Sequence, residues 1–301
     1  MTAAPAVASR RFPALETAAL AVFALALAWQ TIVPPPVGLA DNGDFARIAG
    51  PMGLRATASP EPPHRYFGFL LPGFQITSPW WRSRYGTSEL VPIGLARTIG
   101  KVFSKTGFVD IRVIGAANAL FVLVGAAVLL AGTRRWRARS RILFAFLVVG
   151  IYSDAAYATP LNSLFSQTAS LWAFLLLAGF ALSALDRPTP AALCGYWIAA
   201  LLFVTAKPQE IVQVPAIALF GVLLTKAGPA PVSRGARPWA LAAALFAAAV
   251  VYYLRIPPTI SGPGLHNQVF VEILGQSPDP AADLRDLGLP AEWAAYRGVN
   301  P

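Results

Sequence analysis

Asp41-Asn42-Gly43-Asp44-Phe45-Ala46-Arg47 holds two carboxylates three residues apart around an Asn-Gly pair. Asn and Gly enter positive φ at little cost, so a tight turn is expected between the acids. Asp44 then stands where it can cap a short helix starting at Phe45. A turn and a cap use one carboxylate and leave the other spare. A spare acid held at a membrane surface is suited to take a proton from a hydroxyl nucleophile. Two further polar groups interrupt otherwise apolar sequence: Tyr152-Ser153-Asp154 with Tyr157, Asn162-Ser163 and Ser166-Gln167, and then Lys207-Pro208-Gln209-Glu210. Each has a bland account as helix caps, loop solvation or a snorkelling lysine.

The elements that must position these groups are long apolar runs. The chain has 301 residues, 56% hydrophobic and 13% charged, about half the charge of an average soluble chain. An all-α membrane protein with about seven transmembrane helices is expected. The runs are Ala14 to Val33, Val113 to Ala131, Ile142 to about Ala158, Leu161 to Leu185, Ala191 to Ala206, Ile211 to Leu224 and Trp239 to Leu254. The first lacks a small-residue cleavage site and runs into Pro34-Pro35-Pro36, so it reads as an uncleaved span. Residues 1–256 make a transmembrane domain with a large loop over 34–110, and 257–301 form an extracytoplasmic C-terminal segment. That segment has too little apolar content for an independent core. Pro280 suits the first turn of a helix ending near Gly288, and Pro290 can start another. No closing span follows, which reads as a truncated version of a longer protein.

The 34–110 loop carries interfacial elements. Tyr66-Phe67-Gly68-Phe69 and Trp80-Trp81 favour the membrane–water boundary. Ser88 to Lys105 reads as an amphipathic helix with Ser88 as N-cap. Val91, Leu95, Ile99, Val102 and Phe103 share one face, and Arg97, Lys101 and Lys105 recur on another. Such a helix suits the interface with its cations at lipid phosphates, or else packs on neighbours with a solvated cationic face.

The net charge of +10 follows topology. Arg10, Arg11, Arg134, Arg135, Arg137, Arg139, Arg141, Arg187, Lys226, Arg234 and Arg237 fall on one side of the predicted spans, against Lys207 alone in the short loops of the other. Short-loop Lys/Arg bias marks the cytoplasmic side, so the N-terminus is expected inside and the Asp41 loop outside. The basic balance therefore gives no reason to invoke nucleic acid. A lone Cys194 excludes a disulfide framework, and His64 and His266 lack metal spacing. No P-loop or GxGxxG fingerprint is present, which argues against a cytoplasmic nucleotide-sugar enzyme.

Three polar groups at one level, all at span ends, point to a site for a membrane-borne substrate. Sugar transfer from a polyprenyl-phosphate donor needs a carboxylate base and cations at the leaving phosphate. Asp44 and Asp41 are the candidate catalytic acids; Lys207, Arg97 and Lys101 are the candidate phosphate ligands. A lipid-linked sugar donor, a glycan acceptor and membrane lipids are the expected partners. No cofactor is called for, with a divalent cation left open. A transporter or flippase of lipid-linked sugar and a non-catalytic scaffold are the competing classes. A transporter should show inverted repeats, and no convincing repeat is found, although Lys207-Pro208 resembles a broken-helix element.

An uncleaved first span, a large acidic loop and many further spans resemble the GT-C class of integral membrane glycosyltransferases. Within it the chain resembles bacterial glycan-biosynthesis hexose transferases of the WsfD type. The matching pieces are Asn42-Gly43-Asp44-Phe45 with Arg47, Asp154 to Tyr157 leading into Asn162-Ser163, Ala206-Lys207-Pro208-Gln209, and His266-Asn267-Gln268-Val269-Phe270. The tail Ser277 to Pro280 with Asp283-Leu284 and Leu287 to Pro290 also matches. The resemblance implies inverting hexosyl transfer to a cell-envelope glycan at the outer face of the bacterial cytoplasmic membrane, with Asp44 leading as base. It implies substrate contacts at Asn42, Arg47, Asp154, Asn162, Gln167, Gln209, His266 and Asn267. Gln167 stands where the family pattern carries a Glu.

Overall fold

The computed structural model describes residues 14–41, 45–57, 71–80, 86–230, 233–256 and 267–298. It divides into two compact units at Tyr253/Leu254. The first contains α1 (Ala14–Ile32), α2 (Ala46–Met52), α3 (Leu90–Phe103), α4 (Ile111–Gly132), α5 (Ala138–Tyr152), α6 (Ala155–Ala158), α7 (Gln167–Asp186), α8 (Pro190–Val204), α9 (Val214–Lys226) and α10 (Arg237–Leu254).

Each expected span is a helix, but the spans differ in kind. Five helical stretches are long and apolar enough to cross a membrane: α1, α4, α7, Pro208–Lys226 and α10. The third expected span breaks by 64° between α5 and the Ala155–Asn162 stretch. Asp154 explains the break, because its side chain accepts the Ala156 N–H at 2.8 Å and starts a new helix there. Counting this pair as one span makes six. α8 has only 15 residues, about 22 Å at helical rise against a hydrocarbon core of about 30 Å.

The bundle closes around Trp172, Tyr196, Phe23, Leu27, Leu130 and Leu193. α4 and α7 lie close because glycines face the contact: a Cβ on Gly179 would come within 2.6 Å of the Val128 backbone carbon. Small residues at such crossings let helices gain dispersion contact where lipid supplies no hydrophobic drive.

Side-chain contacts set which helix ends lie together. Gln30 near the end of α1 donates to the Ser153 carbonyl at 2.8 Å, and Thr87 donates to the Ala206 carbonyl at 2.6 Å. At the other end, Glu16 on α1 meets Arg141 on α5, with Arg141 Nε at 2.8 Å. There too Arg135 pairs with Asp186 at 3.0 Å, and Lys226 sits 5.0 Å from the Trp239 ring centroid. The bundle thus has an Asp41 end and an arginine end.

The 34–110 loop folds into a layer at the Asp41 end. It contains a strand motif where the sequence suggests only helices and irregular chain. β1 (Leu54–Ala56), β2 (Gly73–Ile76) and β3 (Phe108–Asp110) form an antiparallel sheet in that order, with Leu54 opposite Ile76 and Gly73 opposite Asp110. Phe45, Ile48, Leu54, Phe74, Ile93 and Val109 make its core, joined by Ile114, Leu164 and Phe165 from the bundle. β3 runs directly into α4, where Asp110 accepts the Arg112 N–H at 2.8 Å. The adjacent Arg112 guanidinium holds the Asp110 carboxyl below its usual range.

α3 buries Pro92, Ile93, Ala96 and Gly100. This corrects the predicted apolar face. Gly100 lies on β3, where a Cβ would meet the Val109 side chain, so small residues take the packed side. Val91, Val102 and Phe103 stay exposed, Phe103 at 81%. Ser88 is not the cap of α3: its hydroxyl turns to the Leu202 carbonyl at 2.6 Å and to Thr205 at 2.8 Å.

The second unit is a small helical assembly with a core of its own, contrary to the expectation for 257–301. It contains a wide helical turn over Asn267–Ile273, α11 (Pro280–Asp286) and a 3-10 turn over Ala291–Tyr296. Phe270, Leu274 and Leu284 form its core, with Trp293 and Tyr296 rings 6.3 and 6.2 Å from Phe270. Pro280 occupies the first turn of α11, capped by Asp279 on the Ala282 N–H at 3.0 Å.

Candidate functional site

The acidic motif at the Asp41 end packs beside the start of α7. Phe45, which begins the helical turn after the acidic motif, packs edge-on to Phe165 with centroids 5.0 Å apart. The backbone N–H of Phe45 donates to Asp41 Oδ1 at 3.1 Å. Asp41 thus holds the backbone of the residue that leads into α2. Asn42 and Asp44 lie outside the described residues. Arg47 is half-buried on α2.

Asn162 is fully buried. Its Nδ2 donates to the Thr31 carbonyl at 3.0 Å and the Val37 carbonyl at 2.7 Å. It thereby ties the end of α1 and the proline-rich link to the start of α7. Through these bonds Asn162 holds in place the stretch of chain that delivers the acidic motif, which is a structural role. Gln167 opens α7 and is exposed. Asp154 is exposed and occupied as the cap of α6.

On the other flank of α7, Thr87-Ser88-Glu89 is wedged between α4, α7 and α8. Ser88 N–H donates to the Thr205 carbonyl at 3.2 Å, alongside the Thr87 and Ser88 hydroxyl bonds to the end of α8. Lys207 follows immediately. It is half-buried and in no ion pair among the described residues. Glu210, its expected partner in a simple ion pair, instead accepts the Gln213 amide at 2.7 Å. Gln209 is exposed.

The two other cations separate along α3. Arg97 is half-buried two turns beyond Glu89, and its Nε is buried with no hydrogen bond among the described residues. Lys101 is exposed and lies roughly 18 Å along the helix from Glu89 at about 1.5 Å per residue. His266 lies outside the described residues. Asn267 opens the helical turn of the second unit. Among the described residues no three His, Cys, Asp or Glu side chains gather as a metal site.

Sequence reasoning missed Glu89. It is 0% exposed and faces Asn118 on α4 and the Trp172 indole and Ala169 backbone on α7. Neither carboxylate oxygen makes a well-formed hydrogen bond among the described residues. Burial pushes this carboxyl well above its ordinary value of 4.5. The only signal in the sequence was an acid just before an apolar helix, which reads as an ordinary first-turn residue.

The arrangement can therefore offer an uncompensated lysine for an anion, beside a layer that carries an acidic loop. Bundle and layer together define an integral, multi-pass membrane protein. The chain belongs to the family of the YfdI N-terminal transmembrane domain, whose model matches residues 7–300. Neither the curated proteins nor the solved structures contain a match.

Proposed function

We propose that this protein transfers a hexose from a polyprenyl-phosphate-linked donor to a cell-envelope glycan at the outer face of the bacterial cytoplasmic membrane. The observation that carries this reading is Lys207, a half-buried cation with no counter-charge among the described residues, at the helix end that packs under the acidic-loop layer. A phosphate at the interface supplies the missing charge, and the lysine stabilises it as it leaves. With Asp41 engaged by the Phe45 N–H, Asp44 is the acid assigned to accept the acceptor hydroxyl's proton. The order of short motifs resembling WsfD-type transferases supports the same assignment, as does membership of a transmembrane-domain family. The charge bias supports an N-terminus in the cytoplasm. Arg47, Gln167 and Gln209 remain assigned to the substrate, and Arg97 to the donor phosphate.

The test is transfer from a polyprenyl-phosphate hexose in reconstituted membranes. Asp44→Asn is expected to lower the rate roughly 10²–10⁴-fold, and Lys207→Gln to weaken donor use. Near-normal turnover in both variants rejects the reading. The 64° break at Ser153–Asp154 favours a second reading, transport of a lipid-linked sugar through a broken helix. Lipid-linked sugar crossing vesicles without transfer selects that alternative.

A further inference from the structure

Glu89 stands at the meeting point of three bundle helices and belongs to no part of the chemistry above. Among the described residues no charged side chain acts on it, in contrast to Glu16, which meets Arg141. Its neighbours are Asn118 from α4, Trp172 and the Ala169 backbone from α7, and Thr87 from its own segment. Its backbone leads directly to the lysine. The Glu89 N–H donates to Thr87 Oγ1 at 3.3 Å, and that hydroxyl donates to the carbonyl of Ala206, the residue before Lys207. Ser88 grips Leu202 and Thr205 one turn earlier.

The polar atoms around the carboxyl form a complementary set. Asn118 Oδ1 is an acceptor, Trp172 Nε1 is a donor, and both are buried without a partner among the described residues. A carboxylic acid group has one donor and one acceptor to give, the same kinds of group that these two atoms call for.

We propose that Glu89 is a positioning residue: anchored between α4 and α7, it fixes Thr87 and Ser88 against the end of α8 and so sets where Lys207 stands. The consequence for an anionic ligand rests on the phosphate reading of Lys207 given above. The anchor acts through shape and hydrogen bonding. Glu89→Gln, which keeps a donor and an acceptor at the same reach, preserves it. Glu89→Ala removes it.

The experiment uses the full chain in lipid membranes and a membrane-impermeant acetylating reagent, with the Lys207 modification rate read by mass spectrometry. Glu89→Ala is expected to raise that rate several-fold as the segment loses its buried anchor, while Glu89→Gln stays near the native rate. Thr87→Val breaks the same relay without touching the buried carboxyl and carries the test if Glu89→Ala does not fold. A native Lys207 rate in folded Glu89→Ala or Thr87→Val, or a Glu89→Gln rate equal to that of Glu89→Ala, overturns the proposal. Protection of Lys207 by farnesyl phosphate is read in the same samples. Its absence rejects the phosphate reading alone, because the dependence of Lys207 on Glu89 is measured without ligand.

Discussion

Gly115→Ala is a one-carbon change with a calculable result. Gly115 on α4 lies against Asn162, so that an added Cβ would overlap Oδ1 and stand 2.8 Å from Cγ. Ordinary carbon–carbon contact is about 3.5–4.0 Å, and the amide has to leave its place. Leaving it breaks the Nδ2 bonds to the Thr31 and Val37 carbonyls at 3.0 and 2.7 Å. Each such bond is worth about 1 kcal/mol, and a carbonyl left buried and unmet costs a further 1 kcal/mol or more. The expected loss is about 2–4 kcal/mol, or a fall in melting temperature of roughly 4–12 °C. Asn162→Ala breaks the same bonds without a clash and should lose a similar amount, about 2–4 kcal/mol. The two changes then do not add, and Gly115→Ala in the Asn162→Ala background should cost almost nothing. Thermal unfolding of the four proteins in one detergent measures the cycle. Equal penalties for Gly115→Ala in both backgrounds, or no penalty in the native one, refute the claim that Asn162 ties α1 to α7.

Three other outcomes are expected. Glu16→Ala strands Arg141 and should destabilise by about 3 kcal/mol or more, whereas Glu16→Leu with Arg141→Met should recover most of it; chemical denaturation in micelles separates the cases. Asp41→Asn keeps an oxygen for the Phe45 N–H and should retain stability, while Asp41→Ala loses about 1 kcal/mol; melting curves read the difference. Because burial raises the Glu89 pKa, the folded state holds a proton that the unfolded chain releases near 4.5. Its contribution to stability is full below that pH and is lost as pH rises toward the folded value. Glu89→Gln should flatten this slope, and an unchanged pH profile of melting temperature removes Glu89 as its source.

The helical, multi-pass class was legible in the sequence because it depends on run length and apolarity, which are local quantities. The seven apolar runs are all helices, and Pro280 and Pro290 marked the two short elements of the second unit for the same local reason. Other features depended on partners far along the chain. β1, β2 and β3 have three or four residues each, too few to show a period of two, and they exist through pairing across residues 54–110. Asp41 holds the Phe45 N–H four residues along the chain, a bond that residue types alone do not specify. Asn162 looked like a substrate ligand until its amide met Thr31 and Val37. Glu89 is the clearest case. Sequence determines that an acid precedes α3, but whether water or Asn118 and Trp172 surround it is decided by the packing of α4 and α7. That packing buries the carboxyl and gives the residue its role.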